Sequence, residues 1–110
     1  MASDLDYVKY VIDQIKTNGK ITYKKMFGEY LIYSNNKPVV MVCDNTAFVK
    51  MYDCIKPLME NVETGFPYKG AKEHYIVNVD DSEHLSYIVT VLEKNVPIPQ
   101  KKKTVKNEVK

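Results

Sequence analysis

The side chains best suited to acid–base, nucleophilic or metal chemistry are two histidines and two cysteines. His74 and His84 belong to no HExxH motif, and the sequence spells no CxxC, GxSxG or phosphate-binding glycine loop. Cys54 is the most suggestive of the four, since it begins a predicted helix, where a thiolate is stabilised, although the neighbouring Asp53 opposes ionisation. These observations predict a protein that is not an enzyme and needs no cofactor or metal.

Tyrosine is unusually frequent, with nine copies in 110 residues. Lysines lie beside several of these tyrosines in segments that we predict to be strands. Such a surface could stack on and neutralise single-stranded nucleic acid. Tyrosine rings equally suit a half-buried pleated sheet and are enriched where proteins meet. The residues concerned are Tyr23, Tyr30, Tyr33, Tyr52 and Tyr75, with Lys24, Lys25 and Lys50.

The charge is divided unevenly along the chain. The formal net charge is +2, but residues 96–110 carry +4 and residues 1–95 carry −2, and all 16 basic residues are lysines. A dedicated DNA-binding domain concentrates its positive charge on the folded face and often reads bases through arginine. We therefore expect only weak, salt-sensitive contact with nucleic acid, through Lys101, Lys102 and Lys103 of the basic tail.

The first half of the chain predicts one helix followed by a meander of strands. Apolar residues recur at helical spacing over residues 3–18, and a two-residue period follows. Strands are predicted at 21–27, 29–34, 39–44 and 46–52. Gly28 suits a bulge or tight bend between the first two strands. The Asn35-Asn36 and Asp44-Asn45 pairs suit tight hairpin turns, because asparagine tolerates positive φ.

The second half predicts a helix, a strand and a longer helix. Asp53 can begin a short helix that Pro57 kinks or shortens, and residues 64–70 read as a loop. A strand at 73–80 and a helix at 82–95 follow. We therefore predict a two-layer α+β domain over residues 1–95, ordered α-β-β-β-β-α-β-α. Its antiparallel sheet has four to five strands with helices on one face, and residues 96–110 form a disordered basic tail.

Composition agrees with one cytoplasmic domain. Hydrophobic residues make up 45% and charged residues 27%, as in ordinary globular domains. No apolar run approaches the roughly 18 residues that a membrane-spanning helix needs. The opening residues lack the apolar region of a secretory signal.

Residues 24–30, with the sequence KKMFGEY, resemble the N-terminal domain of the TfoX/Sxy family of bacterial competence regulators. The resemblance covers about residues 3–95, although Glu29 stands where that family usually has glycine. Further matches are the helix begun at residues 7–12, the strands at 39–44 and 46–50, and the loop residues Phe66, Pro67 and Tyr68. The chain resembles the stand-alone N-terminal domains, without the second domain of the full regulators. The resemblance implies a small α+β domain in competence or transcription regulation, with a homodimer possible and no known catalytic residues.

Three functions stay open at this point. The first is a regulatory or adaptor domain that binds an unidentified protein partner through Lys24, Lys25, Glu29, Tyr30, Phe66 and Tyr68. The second is a nucleic-acid-associated module that uses the lysines and tyrosines of the sheet together with the basic tail. The third, an enzyme or ligand binder, would need a pocket that gathers Cys54, His74 or Glu29. We expect the first.

Overall fold

The computed structural model describes residues 5–26 and 29–96 of the chain. They form an α+β domain, whose strands make one antiparallel sheet in the order β1-β2-β3-β4-β6-β5. In chain order the elements are α1 (Leu5–Gln14), β1 (Ile21–Met26), β2 (Glu29–Ser34), β3 (Lys37–Cys43), β4 (Thr46–Lys50), a 3-10 helix (Asp53–Met59), β5 (Thr64–Gly65), β6 (His74–Ile76) and α2 (Ser82–Asn95). The predicted fold class is confirmed, with the two-residue β5 as an additional strand.

Two tight turns fix the register of the central strands. Asn35 and Asn36 both have positive φ, 51° and 67°, and Asp44 and Asn45 do likewise at 54° and 52°. Two consecutive left-handed residues are the hallmark of the type I′ turn, whose twist matches that of a hairpin. The predicted turns are therefore confirmed. Met26 lies opposite Glu29 in β2, while the predicted bulge or bend at Gly28 lies outside the described residues.

One face of the sheet is covered by the helices and holds the core. Alternate strand residues point to this face, which we call the helix face. They are buried against apolar residues of α1, α2 and the 3-10 helix. The set comprises Tyr30, Ile32, Val40, Val42, Ala47 and Val49 on the strands with Val8, Val11, Ile55, Leu85, Ile88 and Leu92 on the helices.

Helix α1 ends four residues before the predicted limit of residue 18, because serines of α2 bind its last turn. The carbonyl of Gln14 accepts hydrogen bonds from the hydroxyls of Ser82 at 2.6 Å and Ser86 at 3.2 Å. The Lys16 N–H donates to the Ser86 hydroxyl at 2.7 Å, so the chain turns out of the helix there. Residues about 70 positions away along the sequence thus decide where α1 stops.

Other element boundaries also differ from the sequence prediction. The segment that begins at Asp53 is a 3-10 helix with Pro57 inside it, and β4 and β6 are shorter than predicted. Val96 was assigned to the tail, but it is 5% exposed in the core and its N–H donates to the Leu92 carbonyl. The other residues of the predicted tail lie outside the described part. Among the described helices, none has both the length and the apolarity to cross a bilayer.

Candidate functional site

The second face of the sheet, which we call the open face, is covered by a loop instead of helices. Strand pairing lines up an apolar row across this face, from Leu31 through Met41 and Phe48 to Ile76. Phe48 is 6% exposed, whereas the other three are half-buried. The row is therefore a partly covered apolar strip, separate from the core under the helices.

Residues 66–72, which we call the covering loop, fold back over one end of this strip. Pro67 is buried, and its carbonyl accepts a hydrogen bond from the Cys43 thiol at 2.8 Å. Burial raises the pKa of Cys43, and the nearby carboxylates of Glu29 and Asp44 raise it further. The thiol is thus kept protonated as a hydrogen-bond donor, and it holds the covering loop onto β3.

Beside the covering loop lies a groove of about 560 Å³. Its floor is the apolar strip of β2, β3 and β4, and its wall includes Tyr68, which is 48% exposed. Ligand sites typically combine an apolar lining with a few polar groups that orient the ligand. Its lining is made by Leu31, Tyr33, Pro38, Val39, Val40, Met41, Phe48, Lys50, Tyr52, Tyr68, Lys72 and His74.

The charge of the groove has one sign. Lys50 and Lys72 are exposed on its margin, and the described residues that line it include no aspartate or glutamate. His74 is opposite Lys50 in the sheet, so both belong to the same end of the groove. An occupant that carries negative charge beside an apolar group would match this lining.

His74 is held in one orientation at the groove. Its Nδ1 is 2.7 Å from the Lys72 carbonyl, and its ring packs edge-on against Phe48 with centroids 6.4 Å apart. Because a carbonyl only accepts, Nδ1 must carry the proton in this bond. The Nε2 atom is buried and has no hydrogen-bond partner among the described residues. In the neutral ring Nε2 is therefore an unused acceptor within the described part of the chain.

The structure separates the predicted partner-binding residues into two groups. Lys24 pairs with Leu31 on the open face, and Glu29 lies on the same face next to Cys43. Phe66 and Tyr68 are 64% and 48% exposed on the covering loop. These four residues therefore lie on one side of the molecule.

The remaining two predicted residues lie on the helix side. Lys25 and Tyr30 are paired with each other there, because neighbouring residues of a strand alternate between faces. Lys25 is exposed, but Tyr30 is 6% exposed and belongs to the core, so its side chain offers almost no area to a partner. Tyr30 is better understood as a packing residue.

The tyrosines do not form one platform for stacking bases. Tyr33 and Tyr52 line the groove on the open face, whereas Tyr23 lies on the helix face and Tyr30 is buried there. Lys101, Lys102 and Lys103, the predicted nucleic-acid contacts, lie outside the described residues. Within residues 5–26 and 29–96, the sheet therefore has no single exposed aromatic face of the kind that the nucleic-acid hypothesis needs.

The candidate reactive residues do not converge either. His74 lines the groove, Glu29 lies near Cys43, and Cys54 packs against the core from the 3-10 helix. His84 binds the Leu58 carbonyl through Nε2 at 2.9 Å, which fastens the 3-10 helix to α2. Within residues 5–26 and 29–96, no group of three possible metal ligands was found.

The sequence analysis missed Lys72 altogether and assigned no role to the groove. The groove exists because the covering loop folds back onto β3. The sequence around residue 72 contains no local pattern that predicts this contact. Lys50 was named among the lysines of the predicted strands, and its two-residue spacing from Phe48 places both residues on one face of β4.

Fold and groove together define a small α+β domain whose sheet is covered by helices on one face and by a loop on the other. Over 105 residues the chain is 32% identical to a protein of Spirochaeta aurantia named "Uncharacterized 12.7 kDa protein in trpE 5'region". The alignment covers 94% of this chain and 91% of that protein. The chain therefore belongs to the same family as the spirochaete protein. No family model matches the chain, so the TfoX/Sxy resemblance stays a prediction.

Proposed function

We propose that the protein is a non-enzymatic cytoplasmic adaptor or regulatory domain that binds a partner protein through the groove on its open face. The observation that carries the proposal is the groove's lining, an apolar floor with Lys50, Lys72 and His74 as the ionisable groups besides tyrosine among the described residues. The resemblance to TfoX/Sxy N-terminal domains supports a role in competence or transcription regulation. The occupant is an acidic segment of the partner that carries an apolar or aromatic anchor.

Each part of this occupant follows from a part of the site. An anchor side chain would cover the apolar strip. Burying the remaining exposed surface of the half-buried Leu31 and Met41 would contribute favourable free energy to binding. Acidic residues beside the anchor would meet Lys50 and Lys72. Exposed Phe66 and Tyr68 of the covering loop would flank the segment, as aromatic residues do at the centre of many interfaces.

The test is selection of random displayed peptides on the immobilised protein, followed by affinity measurements on the selected peptides. We expect peptides with an aromatic or aliphatic residue between acids. The double variant Lys50→Glu/Lys72→Glu should weaken their binding at least about tenfold, in line with losing two interfacial charge pairs. A peptide with its acids replaced by lysines should recover affinity for that variant.

The matched control is Lys9→Glu/Lys56→Glu, which makes the same charge change at exposed positions of α1 and the 3-10 helix. It should leave peptide binding nearly unchanged, and salt should weaken the wild-type complex modestly. Peptides that respond equally to both double variants would overturn the groove as the site. Single-stranded oligonucleotide binding that outcompetes every selected peptide, with a steep salt dependence, would favour the nucleic-acid module instead.

A further inference from the structure

In the described part of the chain, strand β1 forms one edge of the sheet. Strand β1 is the first in the sheet order, and within the described residues only β2 pairs with it. Edge strands expose backbone N–H and C=O groups that can pair with another strand. The opposite edge is β5, which is only two residues long, so β1 is the edge with room for a partner.

The hydrogen-bonding phase of β1 identifies the backbone groups that face away from β2. The Lys20 carbonyl accepts from the Asn35 N–H at 2.8 Å, so residue 20 bonds towards β2. Groups alternate along an antiparallel strand, so Thr22, Lys24 and Met26 also bond towards β2. The N–H and C=O groups of Ile21, Tyr23 and Lys25 therefore point away from the sheet.

We propose that β1 pairs antiparallel with β1 of a second copy of this chain, about a two-fold axis at Tyr23, to give one continuous sheet. In this register Tyr23 lies opposite itself, and Ile21 lies opposite Lys25 of the second copy. All three outward-pointing residues then exchange backbone bonds, about six in total. This surface is separate from the groove. The dimer and the proposed function can therefore be tested separately, and the failure of one does not affect the other.

The charges on β1 disfavour three of the symmetric alternatives to this register. An axis at Lys24 or at Lys25 would place that lysine directly against its own copy, and an axis at Thr22 would place Lys24 against Lys20 of the second copy. Like charges directly opposite each other are destabilising. With the axis at Tyr23, Lys24 faces Thr22 and Lys25 faces Ile21, so no lysine opposes another.

The side chains at the axis also favour self-pairing. Tyr23 is 41% exposed and lies edge-on to Tyr30, with ring centroids 6.0 Å apart. Pairing at Tyr23 brings two such aromatic pairs side by side on the helix face, where cross-strand aromatic contacts are stabilising. The aliphatic stems of Lys25 would cover Ile21 while their ammonium groups stay in water.

Disulfide trapping tests both the dimer and its register. In a Cys43→Ser/Cys54→Ala background, Tyr23→Cys should form a symmetric disulfide dimer, since hydrogen-bonded partners have Cα atoms about 5.5 Å apart, within disulfide reach. Thr22→Cys alone and Lys24→Cys alone should cross-link at least about tenfold more slowly, while a mixture of those two should cross-link to each other. Equal cross-linking at all three positions would overturn the register.

Sedimentation of the unmodified protein from low micromolar to submillimolar concentration should show a monomer–dimer equilibrium. Lys25→Pro removes an outward-pointing N–H and should abolish the dimer while keeping the thermal unfolding transition. Lys24→Pro removes an N–H bonded to β2 and should instead destabilise the fold. A protein that stays monomeric at the highest concentration, or dimerises equally well as Lys25→Pro, would overturn the proposal.

Discussion

The thiol of Cys43 donates a hydrogen bond to the carbonyl of Pro67, 24 residues further along the chain, at 2.8 Å. This bond joins the end of β3 to the covering loop, and the buried Pro67 ring lies at the same place. A side chain of the sheet therefore holds the wall of the groove in place. Loss of the Cys43 thiol proton should make the covering loop more mobile.

Removing the thiol should loosen the covering loop without unfolding the domain. We expect Cys43→Ala to lower the free energy of unfolding by about 1 kcal/mol, the usual net value of one hydrogen bond. Amide exchange in residues 66–72 should accelerate more than exchange in α2. Cys43→Ser keeps a donor and should show smaller effects. Equal exchange rates in all three proteins would mean that the bond does not hold the loop.

The carboxylate of Glu29 should protect Cys43 from alkylation. Burial comes first among the causes that raise the pKa of Cys43, and Glu29 comes next, so little thiolate exists near neutral pH. Glu29→Gln removes the negative charge, lowers the pKa and should speed reaction with iodoacetamide at fixed pH. The rate should be followed by mass spectrometry in a Cys54→Ala background. Glu83→Gln, an exposed position in the first turn of α2, is the control and should leave the rate unchanged.

Stability should fall in alkaline solution. The pKa of Tyr52 is raised above its ordinary value of 10.0, first by burial and then by Cys54, and that of Tyr7 is raised by burial and by Asp80. Because the folded state holds these protons more tightly than the unfolded state, their stabilising contribution is complete below the ordinary pKa. It is lost as pH rises through the folded pKa.

Thermal melts between about pH 8 and pH 11 measure this effect. The wild-type melting temperature should decline across that range, and Tyr52→Phe and Tyr7→Phe should each make the decline shallower. Tyr87 is 56% exposed, so Tyr87→Phe is the control and should follow the wild-type curve. If the melting temperatures of the wild type and the three variants decline with the same slope, groups other than Tyr7 and Tyr52 cause the alkaline sensitivity.

Gly19 and Ser34 should show strong energetic coupling. A Cβ at Gly19 would lie 2.4 Å from the Ser34 hydroxyl oxygen, which is closer than real contacts allow. Gly19→Ala should therefore cost about 1–3 kcal/mol, as overpacking does. Ser34 is 1% exposed and its hydroxyl has no hydrogen-bond partner among the described residues, so Ser34→Ala should be nearly neutral.

The double variant Gly19→Ala/Ser34→Ala tests the cause of that loss. It should recover most of the stability, since the oxygen that blocks the new methyl group is gone. Chemical denaturation of the wild type, the two single variants and the double variant gives the coupling energy directly. Additive losses would show that another neighbour, such as the Asn35 side chain 3.3 Å from the new Cβ, causes the loss instead of the Ser34 hydroxyl.

The sequence predicted the features of the fold that depend on neighbouring residues. The hairpin turns at residues 35–36 and 44–45, the alternation of the strands and the apolar stripe of α2 all follow from local chemistry. The end of α1 did not, because Ser82 and Ser86 fix it from 68 and 72 positions away. The groove was missed for the same reason, since it depends on a contact between β3 and the covering loop.

The candidate site was predicted in part. Glu29, Phe66 and Tyr68 lie on the side of the open face, but Tyr30 was grouped with Lys24 and Lys25 only because these residues are close in sequence. Alternation along a strand separates such neighbours, and it places Lys25 and Tyr30 on the opposite face from Lys24. Applying the two-residue period to candidate contacts, and not only to core residues, would have divided the set correctly.

Asn35 and Asn36 have the same backbone conformation but should respond differently to glycine. Both have positive φ, where glycine is unstrained and most other residues are strained. Asn36→Gly should therefore keep or slightly raise the melting temperature. The Asn35 side chain accepts from the Lys20 N–H at 2.9 Å and donates to Glu93 at 3.2 Å, so Asn35→Gly should cost about 1 kcal/mol in lost bonds despite the favourable conformation. Denaturant unfolding of the two variants compares their free energies of unfolding. Equal values would mean that backbone conformation alone holds the turn. The Asn35 side chain, which connects the turn to Lys20 and to α2, would then contribute nothing.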